Sequence, residues 1–205
     1  MAMLGAIACE DGGMDIDYSK FDQLKSLESV DFSQITPRQE DLGFFQLREI
    51  FIGEENYIAV NQSGTLCEGA ENEQACKTEF DDLVSDTGFG WHGHPADSVY
   101  YLATNSKDSH ETINTVEGVL DFLGTIDTKE DAILFARAND FFWSADKKEN
   151  GAIREVEDGY ELVVTELVSL CTPLQSDRVL IHISSDGNVT ELDREILSRE
   201  PGVCA

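Results

Sequence analysis

The sequence TVEGVLDFLGTIDTKEDAILFARAND, residues 115–140, opens the part of the chain that decides the fold. Apolar residues recur at i, i+3, i+4 and i+7 over 116–123, which predicts a helix with one face toward the core. Thr128 is followed by Asp131, a pattern that resembles a capping box and predicts a second helix over 129–139. Two helices in succession are therefore expected here.

Two Asp-Gly pairs follow this helical stretch, at Asp158-Gly159 and Asp186-Gly187. Asp-Gly supplies the positive φ angles of a type I′ turn, so each pair predicts a β-hairpin. The predicted strands span 152–156, 160–165, 178–183 and 188–192. Helices followed by antiparallel strands indicate an α+β fold, with one domain over 18–205 in which antiparallel sheets pack against several short helices.

Shorter strands and helices are predicted in the first half of the chain, and they suit the same fold. Strands are predicted over 44–52, 57–61 and 98–104. Helices are predicted over 19–29, from Thr36-Pro37 onward, and after Asn72 as an N-cap. Residues 86–95 are rich in glycine and aromatic residues without a period, so they are predicted to form a loop.

The chain is strongly acidic, with 41 Asp and Glu against 14 Lys and Arg and a net charge of -27. Such a chain repels the phosphates of nucleic acids and of anionic lipids, so direct binding to either is not expected. The acidic excess suits a basic partner protein or ligand, a divalent cation, or a salty medium. It also keeps an exported protein soluble.

The five cysteines indicate an exported protein, beginning with Cys9. Residues 1–8 are mostly apolar and end in small residues, as before a lipoprotein processing site, so lipidation of Cys9 is predicted. Residues 1–17 would form a leader and a flexible acidic tether ahead of the domain. The alternative is that residues 1–8 are only an apolar leader, since no basic region precedes them.

Four cysteines remain once Cys9 is set aside, and an even number suits two disulfides in an oxidising compartment. A Cys67–Cys76 bridge would join a strand end to a helix, and a Cys171–Cys204 bridge would fasten the C-terminal tail. The expected location is the periplasm, the outer membrane as a lipoprotein, or the extracellular space. No apolar run approaches the roughly 18 residues of a membrane-spanning helix.

The sharpest chemical motif is WHGHPAD, residues 91–97. His92, His94 and Asp97 can present two imidazoles and one carboxylate to zinc, and Gly93 would help the two rings converge. This pattern predicts a metal site, with a metal-dependent hydrolase as the corresponding activity. The alternative is a pair of neutral histidines hydrogen-bonded in a loop, since a His-x-His pair also arises by chance.

No cofactor is expected beyond this zinc or a weakly bound calcium. Residues 15–17 read DID and resemble the start of a calcium-binding loop. Lys20 stands where that loop needs glycine, and Ser26 stands where it needs glutamate, so the motif fails. Low-affinity calcium binding by clustered carboxylates stays open, with a solvated acidic face as the alternative.

Several segments resemble uncharacterised exported bacterial proteins of the lipoprotein type. These segments are the Cys-x8-Cys region within residues 64–83, FLGTIDT at 122–128 leading into EDA at 130–132, and DGY at 158–160 with a later cysteine. The resemblance implies export, and it implies no known activity.

Three functional hypotheses follow. The leading one is an exported or lipid-anchored acidic envelope protein that acts as a non-catalytic binding module. The first alternative is a metal-dependent hydrolase that uses the loop of His92 and His94. The second is a cytosolic acidic mimic of nucleic acid, which would bind a basic protein.

Overall fold

Two antiparallel sheets and three helices make up the described part of the chain, residues 13–92 and 97–203 of a computed structural model. The strands are β1 (Asp22–Gln23), β2 (Phe44–Phe51), β3 (Tyr57–Gly64), β4 (Phe89–His92), β5 (Ser98–Ser106), β6 (Ser109–Ile113), β7 (Ala152–Val156), β8 (Gly159–Leu170), β9 (Leu174–Ile183) and β10 (Val189–Glu200). The helices are α1 (Glu73–Asp81), α2 (Val116–Leu123) and α3 (Lys129–Ala138). This mixture confirms the predicted α+β class.

The two sheets divide the chain between them. The N-terminal sheet has the order β3-β2-β5, and both β4 and β6 pair with the far side of β5. The C-terminal sheet has the order β1-β7-β8-β9-β10. Most strands that are neighbours in the sequence are neighbours in a sheet, because short connections favour antiparallel pairing of consecutive strands.

One hydrophobic core joins the sheets, and α3 is part of it. Residues 131–138 of α3 are all buried, since apolar and alanine side chains point in every direction around this helix. Leu47 of β2, Leu134 of α3 and Leu162 of β8 belong to the same buried cluster. A second cluster, which includes Phe44 and Phe80, forms where α1 covers the other face of the N-terminal sheet.

The two helices predicted in the middle of the chain are confirmed, and their ends are set by local caps. The Thr115 hydroxyl accepts a hydrogen bond from the backbone N–H of Gly118 at the start of α2. The capping box of Thr128 and Asp131 is present at the start of α3, which ends at residue 138. Gly124 ends α2 with φ 75°, a conformation that suits glycine.

The helices predicted over 19–29 and from Thr36 are wrong. Residues 18–34 instead form three 3-10 turns and the short strand β1, and no helix begins at Thr36. The reason is tertiary, because the Asn61 side chain donates to the carbonyls of Leu27 and Val30, at 2.7 and 2.8 Å. These carbonyls therefore accept hydrogen bonds from a side chain of β3, where in a helix they would accept from the backbone N–H groups of the next turn.

The turns between the C-terminal strands differ from the predicted type I′ geometry. Val156 lies opposite Gly159, so the turn between β7 and β8 is made by residues 157–158. Gly159 has φ 120°, whereas Asp158 has no positive φ, and a type I′ turn needs positive φ at both central residues. Five residues, 184–188, connect β9 to β10, which leaves a wider turn than the predicted two-residue one.

Candidate functional site

Two of the three predicted metal ligands lie within the described ranges, His92 at the end of β4 and Asp97 just before β5. His92 is paired with Ser98, so the region predicted as a loop over 86–95 is wrong in part and contains a strand. The backbone carbonyl of Asp97, a half-buried residue, accepts a hydrogen bond from Ile52 at 2.8 Å. His94 lies outside the described residues, so the zinc site stays a prediction. Elsewhere in the described ranges, no group of three metal-ligating side chains comes together.

The predicted Cys67–Cys76 disulfide is confirmed, and both cysteines are buried. Asn105 of β5 fixes its position, because the Asn105 side chain accepts from the backbone N–H of Cys67 at 2.8 Å. The same side chain donates to the Lys107 carbonyl at 2.6 Å. The bridge is thereby connected to the hairpin of β5 and β6 as well as to α1.

The second predicted bridge and the lipidation site reach beyond the described residues. Cys171 takes part in a disulfide. The backbone N–H of Thr172 donates to the Val203 carbonyl at 3.1 Å, so the C-terminal segment lies beside residue 171. Cys204 and Cys9 are outside the described ranges, and the Cys171–Cys204 bridge and the lipid on Cys9 stay predictions.

An exposed acidic surface lies between Cys67 and β4, and we call residues 68–86 the acidic segment. Its exposed carboxylates belong to Glu68, Glu71, Glu73, Glu79, Asp81, Asp82 and Asp86. Lys77 is the only basic residue of the segment, and it pairs with Glu73. Hydrogen bonding to Lys77 lowers the pKa of Glu73. The segment therefore presents a strongly negative surface.

The N-terminal half of α1 holds this acidic surface in one position. Asn72 caps α1 by accepting from the backbone N–H of Ala75 at 3.1 Å, as predicted. Cys76 and Phe80 are the buried residues of α1, one held by the disulfide and one packed edge-on against Phe44 with ring centroids 5.4 Å apart. The remaining side chains of α1 face the solvent.

The C-terminal end of α1 is held by Arg48, a fully buried arginine of β2. Its guanidinium donates to the carbonyls of Phe80 and Leu83 and to Gln46, and lies 3.7 Å from the centre of the Tyr57 ring. The carbonyl end of a helix carries partial negative charge, which a cation stabilises. Acidic residues near this end of α1 are repelled by that partial charge, and the positive charge of Arg48 offsets the repulsion.

Sequence reasoning missed Arg48, although one signal was present. Gln46 and Arg48 alternate on a strand that is apolar on both faces, so two polar side chains had to be buried on the same side of the sheet. A buried arginine needs acceptors, and acceptors at a helix end supply them. Burial also raises the pKa of Tyr57 beside it, which keeps the phenol neutral.

A groove of about 510 Å³ lies between residues 38–42, the hairpin of β5 and β6, and α2, and we call it the α2 groove. Leu42, Ile113 and Phe122 supply its apolar lining, and charged side chains from three different elements surround them. Ligand sites are commonly of this size and combine an apolar lining with a few polar groups. The α2 groove therefore has the dimensions of a small-molecule site.

A smaller cavity of about 150 Å³ borders Tyr100, Arg137 and Trp143. The Arg137 guanidinium donates to the Gly90 carbonyl at 2.6 Å and to the Phe141 carbonyl at 3.2 Å. It also lies 4.7 Å from the centre of the Tyr100 ring. Burial lowers the pKa of Arg137. This arginine therefore fastens the end of α3 to β4, and its role is structural.

No protein-family model, curated protein or solved structure matches this chain. Among the helices of the described ranges, none is long and apolar enough to cross a membrane. The acidic segment, the α2 groove and the disulfide are therefore the features that bear on function.

Proposed function

We propose that the protein is an exported, non-catalytic binding module that recognises a basic protein or peptide through the acidic segment. The observation that carries this proposal is the fixed position of the acidic residues on α1. The disulfide, the Asn72 cap and the buried Arg48 hold α1 at both ends. A surface that is ordered before binding loses less conformational entropy on association.

The surrounding charges support the same conclusion. Several other basic side chains are held by carboxylates, as in the pairs Lys129–Asp22, Arg154–Glu161 and Arg178–Glu195. They therefore do little to cancel the field of the acidic segment. An unbalanced negative surface steers a positively charged partner toward it and accelerates association.

The disulfide also favours export over the cytosolic decoy, because thiols in the cytosol are kept reduced. The lipid anchor at Cys9 and the Cys171–Cys204 bridge belong to this proposal. Both would suit a protein of the periplasm, the outer membrane or the extracellular space.

The test compares two charge-neutralising variants with a fluorescent ten-lysine peptide as the probe. Glu79→Gln/Asp81→Asn/Asp82→Asn removes three charges from the acidic segment. Glu54→Gln/Glu55→Gln/Glu157→Gln removes three charges from exposed turns elsewhere and keeps the same net charge. Fluorescence anisotropy at low and physiological salt gives the affinities.

We expect the acidic-segment variant to weaken binding by roughly tenfold at low salt, and the control variant to weaken it by about twofold or less. Equal weakening by both variants would mean that the peptide responds only to net charge. That result, or an absence of binding at low salt, would overturn the proposal.

A further inference from the structure

Arg38 is positioned at the α2 groove by backbone on two sides. Its N–H donates to the Phe122 carbonyl at 2.8 Å. Its side-chain stem lies against Gly124, where an added Cβ would come within 3.0 to 3.2 Å of three Arg38 carbons. The base of this exposed side chain is therefore fixed at the end of α2.

The guanidinium of Arg38 has no hydrogen-bond or ion-pair partner among the described residues. Arg154, Arg178 and Arg194 all pair with carboxylates, and acidic residues are abundant on this chain. Arg199 is also exposed without such a partner, but acidic side chains do not line the cleft beside it. Arg38 therefore differs from Arg199, because its unpaired guanidinium shares a groove with carboxylates.

Two carboxylates from other elements line the same groove. Glu111 lies on β6 directly opposite Thr104 of β5, and Asp121 lies on α2. Within the described ranges neither carboxylate has a hydrogen-bond or ion-pair partner. The groove therefore offers one cation and two anions that are not satisfied by each other.

The lining between these charges is apolar and open. Gly118 has no side chain, and an added Cβ there would lie 2.8 Å from Cγ2 of Ile113. A glycine inside a helix lowers its stability, so close approach of α2 to β6 accounts for its presence. The resulting surface of Leu42, Ile113 and Phe122 can bury an aliphatic or aromatic group.

We infer that the α2 groove binds a small zwitterion with an apolar side chain, either a free amino acid or a dipeptide. Arg38 receives the ligand carboxylate, because a guanidinium can donate two parallel hydrogen bonds to one carboxylate. Glu111 and Asp121 receive the ammonium group, and the apolar lining receives the side chain. A volume of about 510 Å³ accommodates a ligand of this size.

This site is separate from the acidic segment. Thr104 and the groove lie on one face of β5, whereas Tyr101 and Ala103 belong to the cluster beneath α1 on the other face. The inference therefore goes beyond the proposed function, and either one can fail without the other.

The test is a titration of the labelled full chain by two-dimensional NMR with the dipeptide Leu-Leu. N-acetyl-Leu-Leu lacks the ammonium group, Leu-Leu-amide lacks the carboxylate, and phosphoethanolamine carries an ammonium and a phosphate but no apolar side chain. The variants are Arg38→Gln and Asp121→Asn, with Arg199→Gln as the matched arginine control. Unchanged spectral dispersion in each variant establishes that it is folded.

We expect saturable shifts of amide signals in residues 38–42, 109–113 and 116–122 with Leu-Leu. Arg38→Gln should weaken binding by roughly tenfold or more and Asp121→Asn by at least threefold, while Arg199→Gln leaves the affinity unchanged. Both blocked dipeptides should bind at least about tenfold more weakly. Absent or non-saturating shifts at millimolar Leu-Leu would overturn the inference. Equal binding of a blocked dipeptide, or tighter binding of phosphoethanolamine, would also overturn it.

Discussion

The covered end of the molecule and its exposed end use arginine in opposite ways. The covered end is the N-terminal sheet beneath α1, where Arg48 is fully buried and donates to backbone carbonyls. The exposed end is the part of β8, β9 and β10 formed by residues 166–177 and 193–200, which we call the distal arm. There Ile196 and Val168 remain 56% and 49% exposed.

Ion pairs across the strands hold the distal arm together. Arg194 of β10 pairs with Asp177 at 3.0 Å and also with Glu166 and Glu191. Arg178 pairs with Glu195 on the neighbouring strand. Apolar burial and a buried cation therefore stabilise the covered end, whereas the arm relies on charges that water and salt can reach. The following variants test this difference.

The largest expected effect is that of Arg48→Ala. The free energy of unfolding should fall by about 3–5 kcal/mol, since the change leaves a cavity and removes the donor from two carbonyls at the end of α1. Arg48→Lys should cost about 2 kcal/mol, because an ammonium cannot reproduce the planar fork of hydrogen bonds. Urea unfolding measures both, and a loss below about 1 kcal/mol for Arg48→Ala would contradict a structural role for this cation.

The Cys67–Cys76 disulfide should give the second largest effect. Its sequence separation of 9 predicts a stabilisation of roughly 2.5 kcal/mol from the restricted unfolded chain. Urea unfolding of Cys67→Ala/Cys76→Ala should show this loss, and reductant should then have little further effect on the α1 region. A double variant as stable as the unaltered protein would show that Asn72 and Arg48 suffice to hold α1.

Arg194→Gln tests the distal arm, where the expected loss is about 1 kcal/mol in dilute buffer. High salt should reduce this loss, because Glu166 and Glu191 are partly exposed and their attraction to Arg194 is screened. The loss caused by Arg48→Ala should stay nearly constant over the same salt range. Arg199→Gln, an exposed arginine of the same strand, is the control and should leave stability unchanged. A loss for Arg194→Gln that does not respond to salt would contradict the comparison.

The helices that could be predicted from the sequence are those whose caps are local. Helices α2 and α3 were predicted because their caps, Thr115 and Thr128, lie within a few residues of the groups they bind. The structure of the segment over 19–29 was not predicted correctly. The Asn61 side chain, which binds the carbonyls of Leu27 and Val30, lies more than thirty residues away in the sequence. Local signals therefore predicted structure only where the hydrogen-bond partners are local.

The candidate site follows the same rule. The disulfide could be predicted from the number and spacing of cysteines, since pairing within a short loop is a local property. Arg38 and Asp121 line one groove although they are far apart in the sequence. No pattern in a single sequence brings them together, and only the packing of α2 against the N-terminal sheet does.

The smallest expected effect is in the pH dependence of stability. The contributions of a buried carboxyl and of a carboxylate paired with arginine to the free energy of unfolding should change with pH in opposite directions. Asp131 is fully buried at the start of α3, and burial raises the pKa of its carboxyl above the ordinary value of 3.8. The folded state therefore binds this proton more tightly than the unfolded state. The stability from this residue is greatest below its unfolded pKa and decreases as the pH rises through the folded pKa.

Glu191, which pairs with Arg194 of the distal arm, behaves in the opposite way, because hydrogen bonding to Arg194 lowers the pKa of Glu191 below 4.5. Its contribution is present above the unfolded pKa and is lost as the pH falls through the folded one. On acidification from about pH 7 to about pH 3, the stability difference between the unaltered protein and Arg194→Gln should shrink. The difference from Asp131→Asn should instead move in favour of the unaltered protein, since asparagine keeps the acceptor for Thr128 but takes up no proton. Urea unfolding across this range measures both, and slopes of the same sign would mean that the buried carboxyl of Asp131 and the paired carboxylate of Glu191 do not differ in how pH changes their contribution to stability.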